Sequence, residues 1–91
     1  MTFEEKCVED FLSLFEATKQ KIRASEGCLH LELLRDVDNP NIFFTSSHWN
    51  STTDLNKYRD SALFAHVWPR TKVWFAAKPE AWSTEQKEIL A

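Results

Sequence analysis

Residues 41–68 read NIFFTSSHWNSTTDLNKYRDSALFAHVW, and this stretch decides the fold. It opens with Ile42, Phe43 and Phe44 and runs through Ser47 and His48 to Trp49, an apolar strand bounded by a turn cluster before it. Side chains alternate along a strand, so Phe43 and Phe44 point to opposite faces, and at least part of the sheet must be covered on both sides. Ser51, with Asp54 three residues on, opens a helix in the manner of a capping box, Asp standing in for the usual Glu. Leu55, Tyr58 and Ala62 mark the inner face of that helix. Asp60 and Ser61 restart it, and Phe64, Val67 and Trp68 form the next apolar face. Pro69 lacks the N–H needed to continue, and predicts the first turn of another short helix through Phe75. Half of the chain's aromatic residues lie in this stretch.

Upstream, Asp36, Asp38, Asn39 and Pro40 form a turn, which makes Cys28 to Arg35 the antiparallel hairpin partner of the 42–49 strand. Its alternation puts Leu29, Leu31 and Leu33 on one face, toward the helices, and Cys28, His30, Glu32 and Leu34 on the other. From Glu5 to Ser25 the apolar positions Val8, Phe11, Leu12, Phe15 and Ile22 recur at helical spacing, with Glu9, Asp10, Glu16, Lys19, Lys21 and Arg23 outside. Acids crowd the first turns and bases the last, matching the helix dipole, and Gly27, the only glycine, follows as a left-handed stop. Met1 to Glu4 is short and barely strand-like. Glu80 to Ser83 is the expected last strand, with Thr84 to Ala91 left open as an extension, a short helix or a frayed end. The order is therefore remnant strand, helix, strand, strand, broken helix, strand: an α+β, ferredoxin-like βαββαβ plan with an antiparallel sheet and a truncated first strand. One sheet face is covered by the chain's own helices, and a twofold-related copy would cover the other, so a homodimer is expected.

The 91 residues make one domain, residues 1–91, and a lone chain this short buries only about two thirds of the surface its unfolded form exposes. With 43% hydrophobic residues, four Trp and seven Phe, it carries more large apolar surface than one small core hides, which favours self-association or a lined pocket. The net charge of −3 comes from interspersed acids and bases, so there is no basic stripe for a nucleic acid. No apolar run approaches the roughly 20 residues of a bilayer span and no signal peptide is visible, so no membrane partner and a cytoplasmic location are expected. Cys7 and Cys28 are separated by roughly 27 Å of helix at 1.5 Å per residue, against the 7 Å or less that a disulfide needs, so they should stay reduced.

One glycine cannot build a phosphate-cradling loop, which removes nucleotide and flavin motifs and leaves no cofactor expected. His30, His48 and His66 do not share one helix at i, i+4 spacing, so no metal site is expected. His66 lies at the edge of the apolar face of Phe64, Val67 and Trp68: it is either a solvent-edge residue or an inward-facing general base able to take a phenolic proton. His30 and Glu32, at i, i+2, share a strand face that points toward the expected dimer partner. Trp49, Tyr58, Phe64, Trp68 and Trp74 either line a cavity for a flat, small aromatic molecule or simply fill the core between sheet and helices.

A strand ending in Trp49, a Ser-capped helix, an aromatic-rich second helix and the later Lys78-Pro79-Glu80-Ala81-Trp82 segment together resemble the antibiotic biosynthesis monooxygenase family. The resemblance spans about Thr2 to Gln86, with its best pieces at Glu26–Glu32, Asn39–Trp49, Leu55–Trp68 and Lys78–Ser83. It implies a dimeric α+β barrel, two units packed sheet against sheet, each with a pocket between sheet and helices. It also implies a cofactor-free monooxygenase, in which an electron-rich phenol, quinol or anthrone is deprotonated and itself passes electrons to dioxygen. His66 would be the base, and Tyr58 and Trp49 positioning groups. The quinol-oxidising branch has a His immediately before the helix Phe, where this chain has Leu63. The haem-degrading branch has its His ligand where this chain has Trp68, so haem ligation in that manner is not expected. The alternatives are a non-catalytic dimeric small-molecule-binding or stress-response domain of the same fold, or a purely structural dimer.

Overall fold

The computed structural model describes residues 1–90. A single 3-10 turn, Glu5–Cys7, leads into α1 (Val8–Arg23), followed by β1 (Cys28–Arg35), β2 (Phe43–Trp49), α2 (Thr52–Arg59) and α3 (Ala62–Lys72). β1 and β2 pair antiparallel, with Leu33 opposite Thr45 and Arg35 opposite Phe43. The sheet continues beyond β2 through isolated bridges, Thr2 to Ile42 and Phe3 to Phe75, both antiparallel. Read across, the order is the segment around Phe75, the Thr2–Phe3 remnant, β2 and β1, which is the ferredoxin-like arrangement within an α+β fold.

The capping signals place the helices as expected. Ser51 Oγ accepts from Asp54 N–H, and Ser61 Oγ accepts from Phe64 N–H, so the break between α2 and α3 falls at Asp60 and Ser61. Gly27 has φ +80, the left-handed conformation that a side chain resists. The cysteines are both free.

Phe3, Val8, Phe11 and Phe43 form the buried core, with Met1, Leu12, Phe15, Leu33, Trp74 and Phe75 packed against it. Phe3 stacks on Phe11 at 4.3 Å between centroids and meets the edge of Phe43 at 5.8 Å. The N-terminal segment thus supplies the centre of the core: Phe3 is only 1% exposed. Burying a phenylalanine side chain is worth about 2–3 kcal/mol. Phe43 and Phe44 do face opposite ways, at 2% and 47% exposure.

Three expectations are corrected. The last strand does not lie at Glu80–Ser83; its place is held by Trp74–Ala76, where Glu4 N–H donates to Trp74 O and Ala76 N–H to Thr2 O. The partner decides the place of this pairing: Thr2 and Phe3 bridge to Ile42 and Phe75, and residues 77–90 form no helix or strand. Pro69 does not start a new helix but sits inside α3. Its missing N–H loosens the ladder, and the side chains of Arg70 and Thr71 donate to the carbonyls of His66 and Val67 at 2.7 and 2.9 Å. Finally, the leucine face is broken at its start. A register irregularity between Cys28 and His30 turns Cys28 inward, 5% exposed, and leaves Leu29 outside at 58%.

Candidate functional site

The pairing register sorts β2 into two faces. Phe43, Thr45, Ser47 and Trp49 point toward the helices, and Phe44, Ser46 and His48 point away. Phe43 disappears into the core, yet Thr45 and Ser47, on the same face, are exposed. The helices therefore leave this part of the inner sheet face open, between the phenylalanine core and the end of the strand.

The far end of that open floor is bounded by a row of half-buried rings. Trp49 stacks on Tyr58 at 5.2 Å, Tyr58 meets Phe64 edge to face at 5.3 Å, and Phe64 stacks on Trp68 at 5.9 Å. Trp68 then touches Phe75, which joins the row to the core. The row is set by local sequence. Ser61 Oγ donates to Tyr58 O at 2.6 Å while accepting from Phe64 N–H, so one hydroxyl fixes the end of α2 against the start of α3 and with it the Tyr58–Phe64 contact. On the strand side, the Trp49 indole Nε1–H donates to Ser47 Oγ at 2.9 Å, which fixes the plane of the indole. Buried Cys28 stands opposite Trp49 in the ladder. Burial first, and the Cys28 thiol second, push the Tyr58 phenol above its ordinary value, so it stays a protonated donor at neutral pH.

Of the residues singled out from sequence, Trp49, Tyr58, Phe64 and Trp68 come together in this row. Trp74 is placed elsewhere, packed against the Phe3–Phe43 core. His66 is exposed on α3, between the half-buried Phe64 and Trp68. Ser47 and Cys28 are the members that sequence reasoning missed. Ser47 was legible in principle, since it shares strand parity with Trp49, whereas Cys28 enters only through the irregularity in β1.

The opposite face of the sheet carries a second cluster. His30 and His48 are cross-strand partners with ring centroids 4.8 Å apart, and His30 Nε2 lies 3.4 Å from Glu32 Oε1. Phe44 and Leu34 flank it, 47% and 45% exposed. Among the described residues no group of three or more His, Cys, Asp or Glu side chains is arranged to hold a metal ion. No described helix is long and apolar enough to cross a membrane.

Known structures share this architecture. A conserved protein from Methanosarcina mazei superposes with a TM-score of 0.83 at 19% identity, covering 87% of this chain and 78% of that one. An antibiotic biosynthesis monooxygenase superposes at 0.79 and 18% identity, over 85% of this chain and 81% of its own. A Deinococcus radiodurans protein that carries the same family name gives 0.81 at 15% identity, over 99% and 92%. At these identities the likeness establishes the fold. No curated protein matches the sequence. The sequence model of the antibiotic biosynthesis monooxygenase family matches residues 1–68, which include Trp49, Tyr58, Phe64 and Trp68. The chain belongs to the antibiotic biosynthesis monooxygenase family.

Proposed function

We propose that the chain is a cofactor-independent monooxygenase that oxidises a small, flat aromatic substrate of the phenol, quinol or anthrone type with dioxygen. The observation that carries this reading is the row Trp49–Tyr58–Phe64–Trp68 bounding an open stretch of inner sheet face, in a chain of this family. A flat ring entering over Thr45 and Ser47 would stack against Trp49 and exclude water from one of its faces.

The chemistry needs little from the protein beyond binding, orientation and removal of a proton. For an anthrone-like CH2 group, loss of one proton leaves a stabilised carbanion. That carbanion gives up electrons to dioxygen and forms a C–O bond, yielding a hydroperoxide after reprotonation. Loss of water then leaves a ketone, so CH2 + O2 becomes C=O + H2O, with one oxygen atom retained. His66 is the proposed base, the one histidine on the two helices that carry the row, since His48 on β2 points to the opposite sheet face. From its exposed position it takes the proton at the rim. Trp49 and Tyr58 position the substrate, and Phe64, Trp68 and, through the adjoining core, Trp74 shape the apolar wall.

The same reading includes a cytoplasmic homodimer. The outer sheet face exposes Phe44 and Leu34, and residues 77–90 carry exposed Trp82, Ile89 and Leu90. A second copy packed sheet to sheet would cover this apolar surface.

The exposure of His66 favours one competitor, a dimeric binding domain that keeps the ring row without a base. Oxygen uptake by chelator-treated protein against a panel of quinols, anthrones and catechols separates the two. Turnover that survives chelation and falls in both His66→Ala and Trp49→Ala supports the oxygenase. Turnover unchanged in His66→Ala removes His66 from the mechanism. Binding of the panel without uptake supports the binding domain.

A further inference from the structure

The Trp49 indole has one polar hydrogen, and it is already committed. It points at Ser47 Oγ, 2.9 Å away within the same strand. Trp49 therefore offers a ligand its π face and no hydrogen-bond donor. The polar partner of the site has to be found elsewhere, and the same hydrogen bond identifies it.

A serine hydroxyl holds one hydrogen and two acceptor lone pairs. Accepting from the indole uses one lone pair of Ser47 and leaves its O–H hydrogen free to rotate. Among the described residues that hydrogen has no protein acceptor, and the side chain is exposed on the helix-facing side of β2. It stands at the edge of the Trp49–Tyr58 stack, where the polar rim of a ring lying on Trp49 would come. Accepting a hydrogen bond also polarises the hydroxyl and makes it a better donor. The neighbouring polar groups do not compete for it. The indole nitrogen cannot accept, and among the described residues no hydrogen bond joins Ser47 to the Tyr58 hydroxyl.

We propose that Ser47 is a specificity-determining residue of this site, its hydroxyl donating to a ketone or phenolate oxygen on the edge of an aromatic ligand stacked on Trp49. The chain Trp49 Nε1–H to Ser47 Oγ–H to ligand oxygen selects acceptor-bearing rings over plain hydrocarbons of the same shape. In a reaction that begins by proton removal, the same donor meets the oxygen on which negative charge collects, where a hydrogen bond is roughly twice as strong as between neutral groups. This inference rests on the reading of the ring row as the binding site.

The test uses 9-fluorenone and fluorene, two flat tricyclic probes that differ in one ketone oxygen. Binding of each is followed by NMR titration on the Trp49 indole N–H signal of the whole chain, in wild type, Ser47→Ala and Ser47→Thr. Wild type is expected to prefer fluorenone over fluorene. Ser47→Ala should cut that preference by about fivefold to tenfold, the loss of one net hydrogen bond, over and above any weakening shared by both probes through the released indole. Ser47→Thr, which keeps the hydroxyl, should restore it. A purely structural role for Ser47 would weaken both probes together and leave their ratio alone, and that result overturns the proposal. Equal preference in wild type and Ser47→Ala also overturns it while leaving the ring row as the binding site. Failure of both probes to move the Trp49 signal in wild type refutes the binding-site reading itself, and the Ser47 assignment with it.

Discussion

Replacing Gly27 by alanine should be the most informative single change in the scaffold, because two independent costs meet there. The residue sits at φ +80, a conformation that costs an L-residue about 1–2 kcal/mol. An added Cβ would also run into the Cβ, Cγ and Oδ2 atoms of Asp54. Asp54 belongs to the first turn of α2, where its N–H donates to Ser51 Oγ and its carboxylate accepts from the Ser51 hydroxyl, both at 3.1 Å. Pushing it aside breaks the cap, worth about 1 kcal/mol. The total is about 2–3 kcal/mol, which at a urea slope of about 1.5 kcal/mol/M lowers the midpoint by about 1.3–2 M. The assay is urea unfolding followed by tryptophan fluorescence at fixed protein concentration. A Gly27→Ala/Asp54→Gly double variant, compared with Asp54→Gly alone, should recover only the steric share, since removing the whole Asp54 side chain makes room without changing φ. A midpoint shift below about 0.3 M for Gly27→Ala, on the same urea slope, would refute the reasoning. So would an identical loss in the Asp54→Gly background, which would mean the two side chains do not meet. The consequence reaches the site, because Asn50 N–H donates to Gly27 O at 2.7 Å, so this turn also holds the end of β2 where Trp49 is carried.

Other outcomes follow from the same geometry. Phe43→Ala, which empties a fully buried site beside Phe3 and Phe11, should destabilise by about 3–5 kcal/mol in the same unfolding assay. Because the Tyr58 phenol is harder to ionise in the folded chain than at its ordinary value of about 10, the unfolded chain loses that proton first. Stability should therefore be intact below pH 10 or so and fall as pH rises beyond it, and Tyr58→Phe should flatten that fall in unfolding curves taken from pH 8 to 11. Phe44→Asp, on the outer sheet face, should convert the proposed dimer to monomer by light scattering without loss of far-UV helical signal, whereas Thr53→Asp, exposed on α2, should not.

Much of this fold is written locally. Ser51 and Ser61 announce the two helix starts because a cap is a contact between residues three apart. The opposition of Phe43 and Phe44 follows from strand parity alone. The errors fall where the deciding partner is distant in sequence. The βαββαβ order places a last strand at 80–83, but a strand exists only where a neighbour offers free N–H and C=O groups, and Thr2 and Phe3 pair with Trp74–Ala76. The apolar run Val73, Trp74, Phe75 was the signal available. Likewise Cys28 and Leu29 exchange faces through an irregularity in pairing with β2 that leaves no mark in the local alternation. Pro69 differs from its local reading for another reason: the loss of one N–H, which would have met the Ala65 carbonyl, does not end a helix whose side chains on both sides of it are packed, and α3 runs on to Lys72. At the site, the sequence groups Trp49, Tyr58, Phe64, Trp68 and Trp74 as candidate lining or core residues; the first four meet in the row and Trp74 packs on the core instead. The division of the polar groups, with the indole N–H already spent on Ser47, depends on rotamers that no spacing rule reports.

The measurement that tests the central claim most directly is mass spectrometry of the product formed from an anthrone-type substrate under 18O-labelled dioxygen, with chelator present. Cofactor-independent oxygenation predicts one labelled oxygen atom in the product ketone, at a rate that chelation leaves unchanged and Trp49→Ala sharply reduces. Product without label, or a rate abolished by the chelator or indifferent to Trp49→Ala, would contradict it.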